Sequence, residues 1–389
     1  MTTYSPARVR MALLALALGG FGIGATEFVA MGLLPEIARE LLPDRYAVSP
    51  EDALARTGWM ISAYAAGVVV GAPTIAAIAA RFPRRRLLFA LALAFTLGTA
   101  ASALAPTFEL VVAARFLAAL PHGAYFGVAA LVAADLMGPG NRGRGVALVL
   151  SGLTIANVVG VPLITLLGQQ AGWRVAYLAV AAIFAATCVA ILALVPAQHG
   201  DPRATVRREL RVFRRIGVWF ALLTGAVGFG GFFAVYSYVA PLTTEVTELP
   251  ASWTAFSLAS LGIGMTVGNL IGGRLADQGP VRSIFLCFAA FALSLLLLVL
   301  GAAHPVGLLA GLFLVGGSSA ALSPAIQTRL MDVAGESQTL AAAVNHSSLN
   351  IGNSLGAYLG GVVIAAGWGY LAPTWVGLAL CVPGVGFAI

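Results

Sequence analysis

The chain has no lysine, so all 22 of its basic residues are arginine. A P-loop, a Schiff base to retinal or pyridoxal phosphate, and a lysine nucleophile all require a lysine amine. The sequence also lacks an HExxH segment and any recognisable pair of nucleophile and base. We therefore predict no catalytic residue, no metal and no cofactor, and we do not expect an enzyme.

Charge and cysteine are scarce as well. Charged residues make up 10% of the chain, against about 25% in ordinary soluble domains. Cys188, Cys287 and Cys381 fall in separate apolar stretches without CxxC spacing, which predicts buried, reduced thiols. The net charge of +7 does not indicate nucleic-acid binding, because basic patches interleaved with stacking aromatics are missing.

Apolar stretches dominate what is present. Of the 389 residues 60% are hydrophobic, and the 46 glycines and 19 prolines lie largely within these stretches, as in membrane helices. About 20 apolar residues cross the hydrocarbon core of a bilayer. The sequence therefore predicts an all-α integral membrane protein with twelve transmembrane helices, at about 11–34, 56–80, 87–105, 108–134, 146–168, 174–195, 216–240, 253–275, 283–303, 306–327, 338–364 and 371–389.

The arginines predict the orientation of these spans. They cluster in connections that follow even-numbered spans, such as Arg84, Arg85 and Arg86 after the second span and Arg274 and Arg282 after the eighth. Connections rich in arginine stay on the cytoplasmic side of a membrane. Both chain termini are therefore expected to face the cytoplasm.

A polar segment, 196–215, carries six arginines and separates the sixth span from the seventh. It divides the chain into an N-terminal bundle of six helices at 1–195, a cytoplasmic linker at 196–215 and a C-terminal bundle at 216–389. Within the linker, the run RRELRVFRR is compatible with an amphipathic helix on anionic headgroups and with a solvated loop.

The two halves repeat one another. Gly67 and Gly71 recur 197 positions later as Gly264 and Gly268, and the NxxG segment that begins at Asn157 recurs at 353–356. Parallel repeats of six helices place a substrate site near the midplane of the membrane, between the halves. The repeat therefore predicts two pseudo-symmetric six-helix bundles around a central cavity.

Glu27 is the only acidic residue well inside a predicted span. Ionisable groups at that depth are costly and mark functional sites. Arg115 is expected at a similar depth, and His122 lies two helical turns after it on the same face. Burial disfavours a charged carboxylate and a nearby cation favours it, so we predict that Glu27, Arg115 and His122 couple to protons. The alternatives are a static buried ion pair and a histidine bonded to a neighbouring polar group.

Polar and aromatic stripes supply further candidates for substrate contact. His346, Asn350 and Asn353 follow helical spacing in the eleventh span, and Phe229, Phe232, Phe233 and Tyr236 do so in the seventh. Their alternatives are contacts between helices and ordinary packing or lipid contact. The predicted substrate-binding set is Glu27, Met31, Arg115, Asn157, Phe232, Tyr236, His346, Asn350 and Asn353.

Four segments carry a resemblance to a known family. The run GRLADQGPVR at 273–282 resembles the GxxxD(R/K)xGR loop signature of the major facilitator superfamily, whereas the first half departs from it with Ala80 and Pro83 in place of aspartate and glycine. The segments GIGATEFVAMGLLPEIA, LVVAARFLAALPHG and GLTIANVVGVPLITLLGQQAGWR resemble motifs of its twelve-span drug:proton antiporters, which are related to sugar efflux permeases, nucleoside exporters and chloramphenicol exporters. The resemblance implies the major facilitator fold and proton antiport, and it leaves the substrate open.

Together these patterns predict a proton-coupled exporter of small molecules in a bacterial cytoplasmic membrane, working as a monomer in the lipid bilayer. Arg274, Asp277 and Arg282 are predicted to form a gating latch, with a solvated turn as the alternative. A symporter or uniporter for uptake on the same fold stays open. A membrane-embedded enzyme or a receptor would need a reactive cluster, and the internal repeat has no evident use in either.

Overall fold

The computed structural model describes residues 5–49, 53, 56–79, 81–200, 205–250 and 252–388, without the side chains of Met31 and Ala365. No strand occurs in these ranges. Twelve helices run through the body of the molecule: α1 (Pro6–Gly32), α2 (Trp59–Ala79), α3 (Arg84–Leu104), α4 (Phe108–Met137), α5 (Arg142–Ala171), α6 (Trp173–Leu194), α7 (Ile216–Tyr236), α8 (Trp253–Gln278), α9 (Pro280–Gly301), α10 (Pro305–Val333), α11 (Gln338–Ala365) and α12 (Ala372–Phe387).

Ten of these twelve, within the described ranges, are long and apolar enough to cross a membrane. The exceptions are α11, which has 28 residues but carries the predicted polar stripe, and α12, which is apolar but has 16 residues. Both occupy the places predicted for the last two spans. The prediction of an all-helical protein with twelve spans in two bundles is confirmed.

Short helices connect the spans. Leu34–Leu41 and Pro43–Val48 follow α1, Val206–Glu209 and the 3-10 turn Leu210–Arg214 precede α7, and Val239–Pro241 and the π turn Leu242–Val246 follow α7. The run RRELRVFRR is thus helical up to Arg214, in two short pieces. One side of it packs on the protein through Val212, which is buried, whereas Val206 and Leu210 are exposed.

Prolines and polar residues interrupt two of the central helices. α4 consists of Phe108–Ala119 and His122–Met137, separated at Pro121. α5 contains a π-helical turn, Ala156–Gly160, just before Pro162. Because proline has no N–H and its ring crowds the carbonyl four residues earlier, it disturbs the regular ladder of hydrogen bonds, and such π turns are frequent at functional sites.

Glycines allow the same close helix contact in each half. A Cβ atom on Gly71 would lie 2.1 Å from the Leu120 carbonyl oxygen in α4, and one on Gly268 would lie 1.8 Å from the Gly317 oxygen in α10. Neither distance tolerates a side chain. The contact of α2 with α4 therefore corresponds to that of α8 with α10, which is the relation that the glycine repeat predicts.

The halves meet along α5 with α8 and along α2 and α4 with α11. Asn269 of α8 donates a 2.7 Å hydrogen bond to the Ala147 carbonyl of α5, and Ser347 of α11 lies 3.4 Å from the Val68 carbonyl of α2. Further contacts lie at one end of the molecule, which we call the arginine-rich end and which carries Arg84–Arg86, Arg142, Arg144, Arg208, Arg274 and Arg282.

Candidate functional site

A cavity lies between the two halves, where the first half contributes α1, α4 and α5 and the second contributes α7, α8, α10 and α11. One part of its lining is polar: Glu27, His122, Thr154, Asn157, Asn269, Ser323, His346, Asn350 and Asn353. The other part is apolar or aromatic: Phe28, Leu150, Leu153, Phe229, Phe232, Phe233, Tyr236, Met265, Ala320 and Leu349. The cavity is thus amphipathic.

Glu27 reaches the cavity because α1 lies close against α5. Gly24, one turn earlier, has Leu153 and Ala156 so near that a Cβ atom would come within 2.9 Å of the Ala156 methyl group. The Glu27 side chain is half-buried, while Thr26 beside it is fully buried. α1 therefore presents its carboxylate to the space between the halves and its neighbouring hydroxyl to the interior of the first bundle.

Arg115 is fully buried behind this wall. Its guanidinium donates a 2.9 Å hydrogen bond from Nη1 to Thr26 Oγ1 and lies 4.3 Å from the centre of the Tyr64 ring. Its Nε and Nη2 atoms have no hydrogen-bond partner in the described part of the chain. A buried guanidinium with two unsatisfied nitrogens is costly, and an electrostatic attraction to a nearby carboxylate offsets part of that cost.

The predicted pairing of Glu27 with Arg115 is therefore indirect. The two groups interact electrostatically, but the described residues include no ion pair between them, and Arg115 is absent from the cavity lining. Thr26 takes the direct hydrogen bond because successive helical residues point in directions about 100° apart, so only one of two adjacent side chains can face α4.

A row of buried polar rings continues from Arg115 across to the second half. The Tyr64 hydroxyl lies 3.2 Å from His122 Nδ1, and the ring centres of His122 and His346 are 5.3 Å apart. His346 stacks on Phe126 of α4 at 4.3 Å, and its Nε2 atom has no hydrogen-bond partner among the described residues. The row joins Arg115 in α4 to α11 of the other bundle.

The amides hold defined orientations. Asn269 donates to the Ala147 carbonyl at 2.7 Å, and Asn350 donates to the His346 carbonyl at 3.0 Å. Asn157 lies in the π turn of α5, and Asn353 lies one turn beyond Asn350, so the NxxG repeat places equivalent amides on opposite walls. Each wall therefore offers polar atoms to a bound molecule.

The aromatic stripe of α7 faces the cavity rather than lipid. Phe229, Phe232, Phe233 and Tyr236 all line it, and Tyr236 contacts Phe28 of α1 edge to face with ring centres 6.3 Å apart. Edge-to-face contacts of this kind are favourable. The Phe28–Tyr236 pair joins the two halves beside Glu27.

Asp277 joins the halves at the arginine-rich end. Its carboxylate, on a side chain 6% exposed, accepts hydrogen bonds from the backbone N–H groups of Gly143 at 2.6 Å and Arg144 at 3.3 Å, and it forms a 3.5 Å ion pair with the Arg144 side chain. These N–H groups belong to the first turn of α5, where a helix lacks internal acceptors and carries a partial positive charge. Asp277 thus caps a helix of the opposite bundle.

The other two residues of the predicted latch are placed differently. Arg274 and Arg282 are exposed, and neither pairs with Asp277 in the part of the chain that the structure describes. A Cβ atom on Gly143 would lie 2.6 Å from the Gly273 carbonyl, which explains how α5 and α8 come close enough for the cap. The contact is therefore made by Asp277 with the backbone of α5.

The first loop, which lacks the aspartate of the signature, has other contacts around it. Ala80 lies outside the described residues. Nearby, Arg208 of the linker pairs with Glu336 at 2.8 Å, and the Ser337 hydroxyl at the start of α11 donates a 3.3 Å hydrogen bond to the Arg208 carbonyl. At this second junction the linker contacts the segment that leads into α11.

Most predicted site residues therefore come together at the cavity: Glu27, His122, Asn157, Phe232, Tyr236, His346, Asn350 and Asn353. Arg115 lies behind the wall, and the side chain of Met31 is outside the described part of the structure. Sequence reasoning missed Tyr64, Thr154, Asn269 and Ser323. Asn269 could have been recognised as an amide within an apolar span, whereas no pattern around Tyr64 distinguishes it.

The chain is an all-helical membrane protein with a polar and aromatic cavity between two repeated six-helix bundles. This is the architecture of a secondary transporter. Comparison with known proteins agrees: the Major Facilitator Superfamily profile matches residues 16–277 and 246–389. The chain belongs to the Major Facilitator Superfamily.

Individual relatives extend this assignment. The chain is 38% identical to the inner membrane transport protein YdhP of Escherichia coli K12 over 367 residues, covering 93% of this chain and 91% of that protein. It is 32% identical to the chloramphenicol resistance protein of Streptomyces lividans over 364 residues, covering 92% and 91%. Among solved structures, the human organic anion transporter MFSD10 superposes with a TM-score of 0.80 at 15% identity, over 99% and 100% of the two chains.

The chain is thus a multi-pass membrane transporter that handles small molecules within the lipid bilayer, and it is not an enzyme. The predicted family is confirmed. The buried thiols are confirmed as well, since Cys188, Cys287 and Cys381 are each buried and free.

Proposed function

We propose that this transporter exports small molecules in exchange for protons by alternating access. The observation that carries the proposal is the carboxylate of Glu27 on the cavity wall, with the Arg115 guanidinium fixed behind it. A carboxylate in that position can bind a proton or interact with cargo, and the fixed positive charge keeps the two protonation states close in energy. The row from Tyr64 to His122 and His346 supplies groups able to pass a proton.

The proposal includes an orientation and a division of the chain. The arginine-rich end and both termini face the cytoplasm of a bacterial cell, as the positive-inside rule favours. Residues 1–195 and 216–389 move as two bundles joined by the linker 196–215. Nothing in the mechanism requires more than one copy of the chain, so we propose a monomer.

The present arrangement corresponds to the state that is closed on the cytoplasmic side. The contact of Asp277 with α5 and the ion pair of Arg142 with Asp332, 3.3 Å long, join the bundles there. Protonation of Glu27 from outside displaces cargo and allows the bundles to separate at the arginine-rich end. Cargo from the cytoplasm then favours release of the proton inside.

Exchange requires that the protonated and deprotonated forms prefer different states. A difference of about 1.4 kcal/mol gives only a tenfold bias, and a shift from 1:99 to 99:1 takes about 5.5 kcal/mol. The desolvation of a carboxylate costs several kcal/mol. An electrostatic change of that order at Glu27 is comparable with the bias that the exchange requires.

Export is favoured over uptake by the similarity to a protein named for chloramphenicol resistance, because a transporter that confers resistance must lower the drug concentration in the cell. The resemblance of α5 to the antiporter motif supports the same direction. A symporter or uniporter for uptake on this fold is the second candidate. Drugs such as chloramphenicol, sugars and nucleosides are the cargo classes to test.

The test is proton flux in proteoliposomes that enclose a pH-sensitive dye, with sugars, nucleosides and chloramphenicol added in turn. We expect one class of cargo to drive protons in the direction opposite to its own movement, and we expect Glu27→Gln to abolish this flux. Glu109→Gln is the matched control, since Glu109 is exposed at the start of α4 and away from the cavity. Cargo movement that is equal in the wild type and in Glu27→Gln, without any proton flux, would favour the uniporter.

A further inference from the structure

The described lining of the cavity contains an acid and two buried histidines, but no permanently charged cation. Among the described lining residues Glu27 is the only carboxylate, and no arginine is present. Arg115 cannot compensate, because its side chain is fully buried and its Nη1 atom is held by Thr26. A bound anion would lose its water in the cavity without gaining a cationic partner, and it would also face the Glu27 carboxylate.

The neutral polar groups of the lining have already used several of their donors. The Thr154 hydroxyl donates to the Ser151 carbonyl at 3.1 Å, which leaves only its lone pairs. Asn269 and Asn350 each donate one N–H to a backbone carbonyl, and their Oδ1 atoms have no hydrogen-bond partner within the described residues. The Asn157 and Asn353 amides and the Ser323 hydroxyl, which make no side-chain hydrogen bond within the described residues, still offer donors. With the four lone-pair positions of an ionised Glu27, free lone pairs nevertheless outnumber free N–H and O–H groups in the lining.

Apart from Phe28 of α1, the aromatic lining lies on one helix, and the acceptors just named lie on others. Thr154 and Glu27 belong to α5 and α1, and Asn269 and Asn350 belong to α8 and α11, whereas the aromatic stripe belongs to α7. A molecule in the cavity therefore meets acceptors on several sides and an aromatic surface on another. Acceptors that stay unpaired on burial are costly, so a molecule that supplies donors fits this lining best.

We propose that the cargo is an uncharged or cationic molecule that carries O–H or N–H donors beside an apolar or aromatic part, and that anionic molecules are excluded. This inference rests on the proposed function, in which the cavity is the substrate site. The inference also explains how neutral cargo competes with a proton. Protonation of Glu27 removes a negative acceptor and places a hydrogen where a cargo donor would bind.

Equilibrium binding tests the selectivity without requiring transport. Purified protein at alkaline pH is titrated by calorimetry with two matched pairs: chloramphenicol and its hemisuccinate, and adenosine and adenosine 5′-monophosphate. The first member of each pair is neutral and carries several donors next to an aromatic group, and the second carries an anionic group in place of one hydroxyl hydrogen. We expect a neutral member to bind and its anionic partner to bind at least about tenfold more weakly.

Variants then locate the effect in the cavity. Asn350→Leu and Thr154→Val each remove a free acceptor and should weaken binding of the neutral probe about three- to tenfold, the loss of one hydrogen bond. Ser354→Ala is the control on the same helix as Asn350, because Ser354 is exposed and outside the lining. The two substitutions lie on different helices, so a folding defect in one variant leaves the other as a test.

The outcomes separate this inference from the proposed function. Anions that bind as tightly as their neutral partners would overturn the inference, and so would a failure of both neutral probes to bind. Selective binding of a neutral probe without proton flux would leave the selectivity intact and contradict the antiport.

Discussion

Replacement of Asp277 by asparagine should open the arginine-rich end. The carboxylate accepts two backbone hydrogen bonds from the first turn of α5, at 2.6 and 3.3 Å, and its side chain is 6% exposed. Asparagine retains one oxygen but loses the charge. Hydrogen bonds to a charged group contribute about 1.5–3 kcal/mol, and a carboxylate at a helix N-terminus contributes up to about 2 kcal/mol when partly buried.

The loss in Asp277→Asn is therefore about 1–2 kcal/mol, because part of the hydrogen bonding remains. That free energy changes a two-state equilibrium about 5- to 30-fold in favour of the open form. The ion pair with Arg144 adds little, since the arginine side chain is 50% exposed. The expected result is a large but incomplete population shift.

Pulsed electron resonance between spin labels measures this shift. Labels at Arg86→Cys and Arg282→Cys, both exposed and on opposite bundles, report the separation of the arginine-rich end. The three buried native cysteines are first replaced by alanine: Cys188, Cys287 and Cys381. Asp277→Asn should raise the population at the longer distance in the absence of cargo.

Asp332→Asn is the matched comparison. Asp332 also pairs across the bundles, with Arg142 at 3.3 Å, but the two side chains are 39% and 32% exposed. Exposed ion pairs contribute at most about 1 kcal/mol, so its effect should be clearly smaller. An unchanged distance distribution in Asp277→Asn, or a larger shift in Asp332→Asn, would refute the assignment of Asp277 as the latch.

Two further substitutions probe packing and the polar row. Gly268→Ala should lower the melting temperature of the detergent-solubilised protein, because the new Cβ would meet the Gly317 carbonyl at 1.8 Å, whereas Gly386→Ala meets nothing within 4 Å and should leave it unchanged; equal melting temperatures would contradict the close contact of α8 with α10. Tyr64→Phe removes the hydroxyl next to His122 but keeps the ring over Arg115, and it should slow cargo-driven proton flux with little loss of stability. Wild-type flux in Tyr64→Phe would remove Tyr64 from the proton route.

Hydropathy was sufficient to predict most of the twelve spans, because a bilayer admits few other structures for such a chain. The polar stripe of α11 and the 16 residues of α12 make those two spans the exceptions. Several polar residues of the cavity were predictable for the same reason: a carboxylate such as Glu27 or an amide such as Asn157 is too costly to face lipid. The pattern could not reveal the break in α4 at Pro121 or the π turn that contains Asn157, since both depend on local hydrogen bonding.

Contacts between distant helices were predicted less well. The depth of Arg115 in its span indicated a partner near Glu27, but the rotation of α1 gives the hydrogen bond to Thr26 instead. Tyr64 went unnoticed because one tyrosine in an apolar span has no periodic signal. Asp277 accepts its hydrogen bonds from backbone N–H groups of the other bundle. Because every residue except proline has such a group, the sequence does not indicate which one Asp277 contacts.

The central claim is that cargo and proton compete for Glu27, and proton release on binding tests it most directly. Purified protein in weakly buffered solution is mixed with the compound that drives flux in the liposome assay, and the released protons are counted against the bound compound. The account predicts a release that approaches one proton per bound molecule near the pH where Glu27 is protonated, and none in Glu27→Gln. Equal release from both proteins, or binding to the wild type without any release, would contradict it.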